Sequence, residues 1–257
     1  MRVLFTICGR AGSKGVKNKN IKDYLGTPLV FYTIAAIKLA AGKMAENGEF
    51  EYDVVINTDS KELAELATSQ KSVDVKILWR EAELGGDKVP KVAVIKDCYK
   101  RACEMNGCDY DVVVDSDITS PLRTVADIVN IINTKMSRPD VDAVYSVTGS
   151  RRNPYFNMVK EENGFFTKAV ASNFTTRQEA PVFYDVNASL YAYAPRALRE
   201  KPPVGFFNTN AYAIVMKDTA VLDIDSEEDF ELIAVIGEYM FKKYSEFGMI
   251  KEEAEKL

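Results

Sequence analysis

Short apolar runs punctuate the chain up to Ser150: Val3 to Cys8, Asp53 to Thr58, Val73 to Leu78, Asp111 to Asp115 and Ala143 to Val147. Runs of this length bounded by turn residues predict strands. A continuous run such as Val112-Val113-Val114 suits a strand covered on both faces of a parallel sheet. Helical stretches are predicted between them, from Thr27 to about Ala40, Lys61 to Ser69, Val89 to Met105 and Thr124 to Lys135, with a polar connector from Gly42 to Glu51. Thr27-Pro28 reads as an N-cap followed by proline at the first helical position. This alternation predicts right-handed βαβ units in a mostly parallel sheet flanked by helices. From Ser150 to Pro203 the pattern changes to aromatic-rich, short alternating strands, Phe165 to Val170 and Val186 to Ala194, which read as a small antiparallel insertion. Tyr212 to Met216 returns to the sheet. Ser226 caps a last helix with Glu227 and Glu228 in its acidic first turn, and Lys251 to Leu257 reads as a fraying tail. The whole chain, residues 1–257, is expected to form one domain carrying an insertion at 150–203.

Charge and cysteine content narrow the class. A net charge of −5 argues against nonspecific nucleic-acid binding and against a basic membrane patch. No stretch approaches the ~18 apolar residues of a membrane span, and the first apolar run is too short for a signal peptide. Cys8, Cys98, Cys103 and Cys108 show no Cys-x-x-Cys spacing and read as reduced thiols, so a cytoplasmic setting is expected. The absence of histidine removes Ser-His-Asp triads, Cys-His dyads and histidine-ligated metals. Any metal must then be held by oxygen ligands, which favours Mg²⁺, Mn²⁺ or Ca²⁺.

The chemistry concentrates after the first strand. Ile7 to Asn20 holds Gly9, Gly12 and Gly15, Ser13, and the cations Arg10, Lys14, Lys17 and Lys19. Glycine lets backbone amides approach a ligand, and successive amides form a nest for anions. The loop leaves the carboxyl end of a strand, where open α/β sheets bind ligands, so it is expected to hold a polyphosphate. It is neither a Walker A loop nor Gly-x-Gly-x-x-Gly. Asp115-Ser116-Asp117 ends the fourth strand, and a carboxylate at Asp117 would repel an acidic substrate unless a metal or lysine compensates. Arg177 suits a carboxylate through its planar fork, and Asn187 offers both a donor and an acceptor. Asp223 and Asp225 point to one side of an extended segment, and like charges held there call for a cation between them.

Taken together, Arg10-x-x-Ser13-Lys14-Gly15-x-x-x-Lys19-Asn20 resembles the N-terminal signature of the CMP-sialic acid synthetase (acylneuraminate cytidylyltransferase) family. Further likenesses follow in the family's order. They are Arg80 to Asp87, Thr119-Ser120-Pro121-Leu122-Arg123, Arg177-Gln178 through Tyr184 and Asn187 to Tyr191, Phe206-Phe207, and Asp223-Ile224-Asp225 through Asp229. Three departures stand out, the first being Glu81 in place of the usual proline. Lys88-Val89-Pro90-Lys91 replaces a hydroxyl-rich run, and Asp117 stands where glutamine is common.

The resemblance implies a nucleotidyltransferase-type Rossmann-like fold and transfer of CMP from CTP to the anomeric hydroxyl of a nonulosonic sugar acid, with release of pyrophosphate. It implies that Arg10, Ser13, Lys14, Lys19, Asn20, Arg80 and Asp87 bind the nucleotide. Asp117, Thr119, Ser120, Arg177, Gln178, Asn187, Tyr191 and Phe206 would bind the sugar acid. Asp223 and Asp225 would hold Mg²⁺ or Mn²⁺, with Asp225, Lys19 and Arg10 catalytic and Asp225, or a water it orients, the proton acceptor. Homodimerisation through the 150–203 insertion is also implied. Two other readings stay open at this point: a metal-dependent glycosyltransferase using Asp115 and Asp117, and a nucleotide-binding protein without catalysis.

Overall fold

The computed structural model describes residues 1–12, 15–46, 48–202, 210–219 and 224–257. The chain opens with β1 (Arg2–Cys8), followed by the minor pair β2 (Asp23–Tyr24) and β3 (Thr27–Pro28), α1 (Leu29–Ala45), β4 (Glu51–Thr58), α2 (Lys61–Ser69) and β5 (Val75–Trp79). Then come α3 (Lys91–Asn106), β6 (Val112–Ser116), α4 (Val125–Ser137) and β7 (Ala143–Gly149). The remainder holds the hairpin β8 (Val159–Glu162) and β9 (Phe165–Lys168), then β10 (Tyr184–Tyr193), α5 (Pro195–Glu200), β11 (Ala211–Val215), α6 (Glu227–Lys243) and α7 (Ser245–Ala254).

The main sheet runs β11-β7-β10-β6-β1-β4-β5. Pairing is parallel throughout except at β10, which lies antiparallel between β6 and β7. Successive side chains of β1 enter opposite layers. Val3, Phe5 and Ile7 join the core under α1, α4, α6 and α7, while Leu4 joins the core under α3 and α5. Burial on both faces is why these strands read as continuous apolar runs.

Four sequence expectations change. Thr27-Pro28 pairs with Asp23-Tyr24, so Pro28 itself occupies the N-cap position and the helix starts at Leu29. That helix runs on through Gly42 to Ala45, because Ala40, Ala41 and Met44 bury against the core. The strand containing Val186 to Tyr193 is antiparallel as expected, but it belongs to the main sheet, and among the described residues of 150–203 the separate antiparallel sheet is the β8–β9 hairpin. The tail is mostly helix. Phe247, Ile250 and Ala254 of α7 are buried beside α1, and Lys38 pairs with Glu253 at 2.5 Å.

Close packing also fixes α6. A Cβ built on Gly237 would lie 1.9 Å from the hydroxyl oxygen of Tyr24. That hydroxyl donates to the carbonyl of Ile233 at 2.8 Å. Phe247→Ala removes a ring that is 1 % exposed, so it should cost about 3–5 kcal/mol, as large-to-small changes at packed aromatics do. A denaturation midpoint equal to the parent's would show that α7 does not contribute to the core.

Candidate active site

The parallel strands β1, β4, β5 and β6 deliver their carboxyl ends to one side of the sheet, and a cavity of about 560 Å³ opens there. Arg10, Gly15, Lys19 and Asn20 line it from the first loop, Arg80 and the 84–87 turn from beyond β5, Lys91 from the start of α3, Asp117 and Thr119 from beyond β6, and Asp225 from the segment before α6.

The first loop is held by its neighbours. Arg10 Nη1 donates to Asp87 Oδ1 at 2.7 Å, and Asn20 Nδ2 donates to the carbonyl of Arg10 at 3.2 Å. The amide of Ala11 donates to Asp59 at 2.6 Å. Lys19 Nζ donates to the carbonyl of Ile224 at 2.5 Å and lies 3.9 Å from Asp225 Oδ1. Lys22 pairs with Glu227 and sits 4.4 Å above the Phe230 ring. Gly15 approaches the same segment so closely that a Cβ there would lie 1.6 Å from the carbonyl oxygen of Asp225. Ser226 caps α6 in a capping box with Asp229, whose carboxylate also accepts from the amide of Asp225 at 3.0 Å. Residues some two hundred positions apart thus form one wall of the cavity.

Arg80 is oriented by Asn57 at the end of β4. Its Nε donates to Asn57 Oδ1 at 2.6 Å and its Nη2 to the Asn57 carbonyl at 3.2 Å. Asn57 is fully buried, and it is a residue that sequence reasoning missed. The signal available was a polar side chain closing an apolar run.

The floor is a charge cluster. Lys91 Nζ lies 2.7 Å from Asp115 Oδ2 and 2.7 Å from Asp117 Oδ2. Asp115 is fully buried, and its other oxygen accepts from Thr6 Oγ1 at 2.8 Å and from Cys8 Sγ at 3.5 Å. Asp117 Oδ1 accepts from the amide of Thr119 at 2.9 Å and its hydroxyl at 2.8 Å. Beneath them Arg123, 1 % exposed, donates to the carbonyls of Asp117 and Ser120. Burial works against the charge on Lys91, but Asp115 and Asp117 outweigh it and hold the ammonium well above its ordinary value. Burial works to raise Asp117, yet Lys91 and the Thr119 hydrogen bonds prevail and bring it to about 2. The Cys8 thiol is pushed well up by its hydrogen bond with Cys98, by burial and by Asp115. Lys91 and Arg123 were also missed as site residues. The signal for Lys91 was the demand of Asp115 and Asp117 for a counter-charge.

The cavity therefore gathers Arg10, Lys19, Asn20, Arg80, Asp87, Asp117, Thr119 and Asp225. Other expected residues lie elsewhere. Ser120 contributes its carbonyl to Arg123. Asn187 accepts from Ser146 Oγ at 2.5 Å at the irregularity between β10 and β7, so its amide serves the sheet. Tyr191 stacks on Tyr193, with its ring 5.9 Å from Lys91 Nζ. Arg177 and Gln178 sit exposed on a helical turn, and Arg177 donates to the carbonyl of Arg151. Ser13, Lys14, Phe206, Phe207 and Asp223 lie outside the described residues. Among the described residues no three Asp, Glu, Cys or His side chains are grouped to hold a metal. The carboxylates of Asp115 and Asp117 converge on Lys91, which disfavours the metal-dependent glycosyltransferase reading.

Gly15→Ala should push the loop and the Asp225 segment apart. The expected result is a native unfolding midpoint with nucleoside triphosphate binding weakened about tenfold or more, an effect of ~1.4 kcal/mol or above. Unchanged binding by calorimetry would refute that role. A second expectation concerns acid. The depressed Asp117 contributes stability that is fully present above its ordinary value near ~3.9 and is lost as pH falls toward about 2. Urea midpoints of the parent and Asp117→Asn should thus converge between about pH 4 and pH 2, and a constant gap across that window would contradict the assignment.

A model of the protein family described as Cytidylyltransferase matches residues 4–240. The chain is 37% identical over 231 residues to the CMP-N,N'-diacetyllegionaminic acid synthase of Campylobacter jejuni, covering 90% of this chain and 93% of that one. It is 36% identical, with the same coverage, to the post-translational flagellin modification protein B of Campylobacter coli. Its fold is that of a solved CMP:2-keto-3-deoxy-manno-octonic acid synthetase complexed with CTP, at a TM-score of 0.62 and 12% identity, covering 92% of this chain and 98% of the other. The fold, the loop signature and the family match agree: the chain belongs to the cytidylyltransferase family, and within it to the nonulosonic acid cytidylyltransferases.

Proposed function

We propose that the chain transfers CMP from CTP to the anomeric hydroxyl of a nonulosonic sugar acid and releases pyrophosphate. The observation that carries this reading is the convergence of Arg10, Lys19 and Asp225 on one cavity at the carboxyl ends of the parallel strands. A diacetyllegionaminic-type acid is the first substrate to test, because the relative named for it matches nearly the whole chain.

Such a transfer depends on alignment and on neutralising charge at the phosphorus and the leaving group. Arg10 and Lys19 flank the place for the β and γ phosphates, with Ser13, Lys14 and the loop amides completing the cradle. Asn20 holds the loop, and Arg80 with Asp87 borders the nucleoside. Thr119 and Asp117 border the acceptor sugar. Arg177, Gln178, Asn187 and Tyr191 belong to the acceptor side only if substrate brings them to the cavity, and the family resemblance assigns Phe206 to the same side.

The exposed carboxylate of Asp225 at the cavity supports a hard divalent cation as the cofactor. The side chain of Asp225 is 83% exposed beside Lys19, and Mg²⁺ is commonly held by one or two carboxylates together with substrate phosphates. Asp223 and Asp225 would hold Mg²⁺ or Mn²⁺, which when bound would supply charge neutralisation at the α-phosphate and would lower the pKa of the attacking hydroxyl. Asp225, or a water it orients, would then take the hydroxyl proton.

The exposed Phe165, Phe166, Val182 and Tyr184 near the hairpin support a homodimer built through the 150–203 region. Among the described residues no helix is long and apolar enough to cross a membrane. A cytoplasmic setting without a membrane or nucleic-acid partner is part of the same proposal, resting on the net charge of −5 and on cysteines without disulfides.

Pyrophosphate release should be seen with CTP, Mg²⁺ and one member of a nonulosonic acid panel, and not with ATP or GTP. CTP binding without release on any sugar acid would overturn the catalytic reading. Lys19→Ala and Asp225→Asn should each lower turnover by about 10²-fold or more, the scale of losing one electrostatic stabiliser. Near-normal turnover would remove that residue from the chemistry.

A further inference from the structure

Asp117 poses a problem that the proposed reaction does not solve. Both substrates are anions, and Asp117 lines their cavity with the buried Asp115 behind it. Two carboxylates under an anion site would raise a repulsion that low local dielectric magnifies. The structure supplies a partner from another element. Lys91, the first residue of α3, bridges the two carboxylates at 2.7 Å each. Its side chain keeps 35% of its surface open toward the cavity it lines. The other oxygen of Asp117 accepts twice from Thr119, which fixes the carboxylate on a tight turn at the cavity wall. Arg123 holds that turn from below through the carbonyls of Asp117 and Ser120.

We propose that Lys91 is a positioning residue that makes Asp117 compatible with an anionic substrate. Lys91, Asp115 and Asp117 act as one unit in which a single ammonium offsets part of the charge of two carboxylates, and the nucleotide responds to the net charge of that unit and not to the lysine as a direct ligand. The proposal rests on the reading of the cavity as the CTP site.

The unit charge can be varied without rebuilding the floor. Lys91→Met makes it one unit more negative than the parent. Asp117→Asn makes it one unit more positive, and the asparagine oxygen can still accept from Thr119. The double variant restores the parent's charge. CTP binding is measured by titration calorimetry at low salt, with no sugar acid present, alongside the thermal midpoint of each variant. Lys91→Met should weaken CTP by roughly tenfold or more, Asp117→Asn should bind at least as tightly as the parent, and the double variant should recover most of the loss. Added salt should shrink these differences.

A purely structural lysine, or one that touches CTP directly, would leave the double variant as weak as Lys91→Met or weaker, and either result would overturn the proposal. Equal binding by Lys91→Met and the parent would also overturn it. If Lys91→Met does not fold, the comparison of parent, Asp117→Asn and double variant decides, with the double variant expected beside the parent and below Asp117→Asn. Absence of CTP binding by the parent chain would instead overturn the reading of the cavity, and this inference with it.

Discussion

Lys91 shares its ammonium between Asp115 and Asp117, and much of the cavity depends on that arrangement. Charges taken out of water need excellent geometry and further hydrogen bonds to offset desolvation. Here Thr6 and Cys8 serve Asp115, and Thr119 serves Asp117. Removing one partner of such a cluster leaves an uncompensated charge, which is far more costly than never having built it. The cluster also joins three pieces of the chain: β1 through Thr6 and Cys8, β6 and the turn after it through Asp115 and Asp117, and the start of α3 through Lys91. The floor of the site is therefore fixed by electrostatics as well as by packing.

Above that floor the walls come from the topology. Parallel pairing of β1, β4, β5 and β6 sends all four carboxyl ends to one side, so their following loops meet. The antiparallel β10 fills the gap between β6 and β7 and sets Tyr191 against the charged floor. The segment before α6 then closes over the first loop through Lys19, Lys22 and Gly15. A glycine is required where one backbone lies against another, because even a methyl group would overlap the Asp225 carbonyl.

Several polar side chains that looked like ligand contacts are part of this scaffold, and the reverse also holds. Asn187 has the donor and acceptor of a sugar-binding residue, yet its amide is engaged where β10 departs from regular pairing. Arg123 and Asn57 do not line the cavity, but they set the loop carrying Asp117 and the guanidinium of Arg80. Residue type alone does not separate these roles, since the same amide or guanidinium chemistry satisfies a buried backbone group or a substrate.

What the sequence determined by itself is what depends on local pattern. The order of strands and helices follows from apolar runs and periodicity, the α6 start from the Ser226 cap and its acidic first turn, and the crowding of glycines and cations in the first loop is plain from the chain itself. Only the tertiary structure decided which distant groups meet. Lys91 and Asp117 are far apart on the chain, and Lys19 and Ile224 farther still, so no spacing rule links them. The docking of α7 and the place of β10 in the main sheet likewise depend on which faces remain to be covered once the other elements have paired. Local propensity acts over a few residues. The strand order, which spans the whole chain, fixes every neighbour beyond that range.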